Sequence, residues 1–128
     1  MRKINIFVGG PFSAALKDDE FDPDLRKTFE LVFRKLQSTF VCDLLSSHLA
    51  EKWGKEVNEE ALVKRDNDWV EEAHAYVGVL PFDPTSGLPW RTEGTCIEIG
   101  IALALGKPIL LLMEKSISIL ILSILLLE

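Results

Sequence analysis

Positive charge is scarce in this chain: 14 Lys and Arg stand against 20 Asp and Glu, a formal net charge of −6. A protein that grips a nucleic-acid backbone replaces counterions with Lys and Arg, so that class of partner is excluded. A single nucleotide needs only one local positive site and is not. Cysteine is scarce too. Cys42 and Cys96 lack metal-ligand spacing and read as free thiols in a reducing, cytoplasmic compartment. The sequence offers no metal cluster, Ser-His-Asp order, P-loop or GxGxxG fingerprint, so none of those chemistries is indicated. Nor does it carry the roughly 18 apolar residues of a membrane-spanning helix. The aliphatic stretch 116–127 falls short of that. It reads as a buried element at a subunit interface, or as a truncated or altered terminus, rather than as a membrane anchor. Met1-Arg2-Lys3 and the short apolar run after it, broken by Gly9-Gly10, are too brief for a signal peptide.

What is present is ordinary globular material: 48% hydrophobic and 27% charged residues over 128 positions, enough for one domain with one core. No internal repeat or low-complexity linker divides it. The pattern alternates strand and helix. Ile4 to Val8 is a short apolar run ended by Gly9-Gly10-Pro11. Asp22-Pro23-Asp24 starts a helix whose Leu25, Phe29, Val32, Phe33 and Leu36 recur at helical spacing. Thr39 to Leu45 suits a second strand, Asn58 to Glu72 a second helix, and Ala75 to Leu80 a third strand halted by Pro81. A loop rich in Pro and Gly runs from Phe82 to Gly94, followed by another helix and a fourth strand, Ile109 to Met113. Continuous apolar strands separated by helices predict an α/β fold: a single-domain, Rossmann-like (flavodoxin-like) parallel sheet with helices on both faces. Such sheets bind ligands at the carboxyl ends of their strands. The Gly9-Gly10-Pro11-Phe12 turn, the 82–94 loop and the start of the following helix all lie at that end.

The residues with chemical potential cluster in those segments. Gly94-Thr95-Cys96-Ile97-Glu98-Ile99-Gly100-Ile101-Ala102 sets Glu98 just inside an expected helix start, ahead of a small apolar run that reads as buried. Glu98 is then either a charge partner of the helix N-terminus or a reactive carboxylate in a dry cleft. Asp66 and Asp68 lie mid-helix; they belong to a solvated acidic face, or one of them points into the same cleft. Two neighbouring carboxylates suit glycosidic chemistry. His48 offers a phosphate or hydroxyl contact and Trp53 a wall for a base, unless both are packing groups. Phe12 and its preceding glycines place a ring at the strand end, to stack on a base or to fill the core. Thr92, the amides of Gly94 and Thr95, and the charge of Arg91 compose a possible anion cradle, which Glu93 opposes. His74 has no evident partner and reads as structural.

Taken together, Ile6-Phe7-Val8-Gly9-Gly10-Pro11-Phe12, the Asp66 helix leading to Ala75–Leu80, Gly94-Thr95-Cys96-Ile97-Glu98-Ile99-Gly100 and Gly106-Lys107-Pro108-Ile109 resemble the nucleoside 2-deoxyribosyltransferase family. The His48-x-x-Glu51-x-Trp53-Gly54 segment makes the chain most similar to the family's cytidine 5′-monophosphate N-glycosidase branch. The likeness covers residues 4–114. It implies that residues 1–115 form the catalytic domain, with 116–128 as an added aliphatic segment. It implies Glu98 as the nucleophile on the anomeric carbon and Asp66 as its companion, positioning sugar or base. Gly9, Gly10, Phe12, Ser13, His48, Trp53, Thr92, Gly94 and Thr95 are the implied substrate contacts. Transferases acting on free nucleosides carry an acid six positions before the nucleophile; the monophosphate hydrolases carry a serine there that contacts the 5′-phosphate. Thr92 stands at that position and points to the hydrolases. The chain departs from the cytidylate enzymes at Ser13, where they have an arginine, and from a common aspartate at His74. The expected activity is hydrolysis of a nucleoside 5′-monophosphate such as CMP or dCMP, without metal or cofactor, by a homodimer or higher homo-oligomer. Base exchange by a deoxyribosyltransferase and a non-catalytic nucleotide-sensing domain are the alternatives.

Overall fold

The computed structural model describes residues 2–114. Four parallel strands form the central sheet: β1 (Ile4–Gly9), β4 (Cys42–Leu45), β5 (Ala75–Pro81) and β6 (Ile109–Glu114), in the order β4-β1-β5-β6. Alternation of side chains across the pleat sorts the core into two layers. Ile6, Val8, Val77 and Val79 face α1 (Pro23–Thr39), which covers one side with Leu25, Phe29, Phe33 and Leu36. Phe7, Tyr76 and Ile109 face the opposite side, packed with Val70 and Ala73 at the end of α3 (Glu59–Glu72) and Ala102 of α4 (Glu93–Ala104). The fold class read from the sequence is therefore the observed one: a mixed α/β domain with a four-stranded parallel sheet flanked by helices, Rossmann-like.

Local chemistry fixes the helix starts. Asp22 caps α1 by accepting the Leu25 amide at 2.9 Å, with Pro23 in the first turn. Asn58 caps α3 through the Ala61 amide at 3.2 Å. The chain leaves β1 for β4 by way of α1 and returns to β5 by way of α3, on the other face. The strand order thus reverses beside β1, and a crevice opens outside the ends of β1 and β5.

Several boundaries differ from the sequence reading. Thr39 belongs to α1 rather than to a strand, because its hydroxyl bonds back to the Lys35 carbonyl (2.7 Å) and the Phe40 amide to Leu36 (2.9 Å). The segment after β4 carries a short helix that the sequence reading does not assign, α2 (Ser47–Ala50). A two-residue hairpin, β2 (Leu16–Lys17) with β3 (Glu20–Phe21), turns on Asp18 and Asp19, both at positive φ. It has no apolar periodicity to announce it. Helix α4 begins at Glu93, so Glu98 is its sixth residue and lies beyond the first turn. The apolar run after it is buried on one side only: Ala102 is fully buried, while Leu103 and Leu105 are exposed at 39% and 49%, and Ile97 before Glu98 is exposed at 62%. The aliphatic stretch 116–127 lies outside the described residues.

Candidate active site

Helices α3 and α4 each break an inward stripe with one acid. On α3 the stripe of Leu62, Val70 and Ala73 is interrupted by Asp66, itself only 8% exposed. On α4 the buried Thr95 and Ala102 flank Glu98 at helical spacing. Both carboxylates line a cavity of about 450 Å³ at the carboxyl end of the sheet, together with Gly9, Gly10, Phe12, Ser13, Thr92 and Gly94. That volume suits a small-molecule site.

Glu98 is held from beneath. The Tyr76 hydroxyl donates to its Oε1 at 2.9 Å, across the space above Gly9. Burial pushes the Glu98 carboxyl up to about 7; the Tyr76 hydrogen bond works against this, and the charge of Asp66 adds to it. Tyr76 is itself raised far above the ordinary phenol value, first by burial and then by the charge and hydrogen bond of Glu98, with the Thr95 hydroxyl opposing. It therefore remains a neutral donor across the working pH range. Tyr76 stacks on Phe7 with ring centroids 5.4 Å apart, which fixes the hydroxyl in place. Replacing Tyr76 by Phe keeps this packing and removes the donor. The Glu98 midpoint should then climb by about one pH unit, the worth of one hydrogen bond to a charged group. Carboxyl ¹³C NMR titration measures it, and an unchanged midpoint would refute the role.

Asp66 is gripped from both sides. Ser47 donates its hydroxyl to Oδ2 at 2.6 Å, and Arg65 reaches Oδ1 with Nε (3.2 Å) and Nη2 (3.0 Å). Asp68 instead pairs with Lys64 on the surface at 2.8 Å, which resolves the two-acid question in favour of Asp66.

The start of α4 offers a weak anion site. Its first helical hydrogen bond runs from the Cys96 amide to the Thr92 carbonyl (3.2 Å), so the Gly94 and Thr95 amides precede the ladder at the cavity edge. Arg91 lines the same edge but is engaged by Glu93, its Nε 2.9 Å from Oε1, and this pairing holds the Glu93 carboxyl below its usual value. The Thr92 hydroxyl donates to that of Thr95, whose side chain is buried. Thr95 accordingly faces the protein with its hydroxyl and offers the cavity only its amide.

Of two expected contacts, one lies off the cavity and the other reaches it in a packed role. Trp53 is not on the cavity wall: it is 8% exposed and packs in the α1 core against Phe21, Phe29 and Phe33, with the Arg26 guanidinium 4.8 Å over its ring. Its backbone is left-handed (φ 57°). His48 touches the cavity but is 1% exposed, its ring 4.0 Å from that of Phe29. Burial lowers it to about 4, against the hydrogen bond to Pro11, so it is neutral at pH 7. Facing a carbonyl, Nε2 carries the proton and donates to Pro11 at 2.8 Å. His48 thus anchors the Gly10-Pro11-Phe12 turn and has no charge to offer a phosphate. His74 is structural, its Nδ1 accepting the Asn5 amide at 2.9 Å.

Sequence reasoning missed Tyr76, Ser47 and Arg65. Tyr76 had a signal: it is the only tyrosine of the chain and interrupts an otherwise aliphatic strand. Among the described residues no group of three or more His, Cys, Asp or Glu could hold a metal, and no helix is long and apolar enough to cross a membrane. No protein-family model and no curated protein matches the chain.

Proposed function

We propose that this protein hydrolyses the N-glycosidic bond of a nucleoside 5′-monophosphate, a pyrimidine nucleotide such as CMP or dCMP, releasing free base and a sugar 5-phosphate. The observation that carries the reading is the pair of carboxylates, Glu98 and Asp66, converging from two helices on one cavity at the strand ends. Glu98 is buried enough to be reactive and is oriented by a neutral donor. In its ionised form Glu98 attacks C1′ as the bond from C1′ to the base nitrogen breaks, and the departing base takes up a proton from solvent water, which the later hydrolysis of the ester returns. Water then splits the glycosyl ester and regenerates the carboxylate. Asp66 steadies the sugar. Phe12 stacks on the base, and the Gly94 and Thr95 amides, Ser13, Thr92 and an Arg91 released from Glu93 receive the phosphate. No cofactor enters this scheme. The exposed apolar side chains of α4 support assembly into a homodimer or higher homo-oligomer, and a cytoplasmic setting fits a chain with two unpaired thiols.

Chromatography of nucleosides and their 5′-monophosphates after incubation with the protein tests the reading. Base should appear from a monophosphate without any acceptor, with kcat/KM rising about tenfold per pH unit below 7 and levelling above it. A product nucleoside formed only when a second free base is added would make the protein a transferase. Binding of monophosphate without turnover would make it a sensing domain.

A further inference from the structure

Behind Asp66 lies a second carboxylate with no place in the chemistry above. Glu51 follows α2 and is 2% exposed. Its Oε2 accepts the Asn58 amide at 3.1 Å, and its Oε1 accepts Arg65 Nη1 at 2.6 Å. The same guanidinium turns its other edge to Asp66 and lies 4.8 Å over the Trp69 ring. Arg65 is thus clamped on three sides, and only one of its partners reaches the cavity. A planar fork with fixed donors transmits position in a way that a lysine cannot. Two carboxylates against one guanidinium also leave the group with a net negative charge, adjacent to Glu98.

We propose that Glu51 and Arg65 are positioning residues, the buried Glu51 holding Arg65 so that Arg65 fixes both the place of Asp66 and the charge it presents to Glu98. This rests on the reading of Glu98 as the reacting carboxylate. The charged or titratable groups facing Glu98 are few. Asp66 comes from α3 with Glu51 and Arg65 behind it, Tyr76 from β5, Arg91 and Glu93 from the start of α4, and the neutral His48 from α2. Arg91 and Glu93 offset each other. The field that remains to be set is that of the Glu51–Arg65–Asp66 group.

The test is the carboxyl ¹³C titration of Glu98 in glutamate-labelled full-length protein, its signal assigned by loss in Glu98→Gln. Removing a negative charge favours ionised Glu98, so Glu51→Gln should lower the midpoint by about half a pH unit, and Asp66→Asn by more. Arg65→Met should raise it by a similar amount. Arg65→Lys, which keeps the charge, should leave the midpoint within about 0.3 of wild type yet lower kcat, since the fork is gone. Opposite displacements in Glu51→Gln and Arg65→Met are not produced by general loosening. Midpoints that move together, or do not move, overturn the proposal. Should Arg65→Met fail to fold by circular dichroism, Glu51→Gln against Asp66→Asn decides alone: a wild-type midpoint in Glu51→Gln is then the overturning result. Base release is scored separately. Displaced midpoints without base release leave this inference standing and remove the glycosidase, whereas base release with unmoved midpoints does the reverse.

Discussion

Glu98→Gln should abolish base release, by at least about 10⁴-fold, while making the protein more stable in alkali. The first effect follows if the amide cannot form the glycosyl ester. The second comes from the cost of keeping a carboxylate in this place. Burial raises Glu98 from 4.5 to about 7. The folded state therefore holds a proton that the unfolded chain gives up between those values. Its stabilising effect is complete below about pH 4.5 and is lost as the pH rises through 7. Above that, ionised Glu98 costs roughly 3 kcal/mol at 1.36 kcal/mol per unit. Glutamine stays neutral and still accepts the Tyr76 hydroxyl. Thermal melts of the variant should exceed wild type by several degrees at pH 8.5 and converge with it near pH 4.5. A constant difference at both pH values would mean that Glu98 is not strained by burial. Undiminished base release would remove it from the reaction.

The parts of this architecture that were legible share one property: they repeat. The spacing of Leu25, Phe29, Phe33 and Leu36 gave α1 because a helix covering a sheet must present that stripe. Glu98 and the Gly9-Gly10 turn stood out because the strand-end rule points to the chemistry there. What escaped depends on pairing across distance. Tyr76 is an aromatic in a strand until the β1–β5 register sets Phe7 beside it and Gly9 just beyond. Arg65 looks like helix surface until α2 brings Ser47 and Glu51 alongside. His48 and Trp53 carry groups that suit ligand contact, but a buried ring among Phe12, Phe21 and Phe29 serves the core, and no one-dimensional pattern separates those two uses. The helix start at Glu93, five residues before Glu98, also moves the carboxylate from a capping place to an inward-facing one.

Gly9→Ala should damage the site directly, through the two side chains at its centre. A Cβ at Gly9 would overlap the Tyr76 hydroxyl and stand 2.8 Å from Glu98 Oε1 and 3.0 Å from Tyr76 Cζ. The backbone has little room to retreat, since Gly9 is still paired with Gly78 across the two central strands. The Tyr76 ring is equally confined by its stack on Phe7. Overpacking of this kind costs about 1–3 kcal/mol. The side chain that yields must break the Tyr76–Glu98 hydrogen bond, so base release should fall by about 10² or more. The matched control is Gly100→Ala on the exposed side of α4, where a Cβ meets nothing within 4 Å. Alanine there improves helix propensity and should add about 0.5–1 kcal/mol of stability. Equal denaturation midpoints for the two variants would sink the argument. Adding Tyr76→Phe to Gly9→Ala separates its two halves. Loss of the hydroxyl removes the worst overlap, so part of the lost stability should return. Activity should not, because the donor that orients Glu98 is still missing.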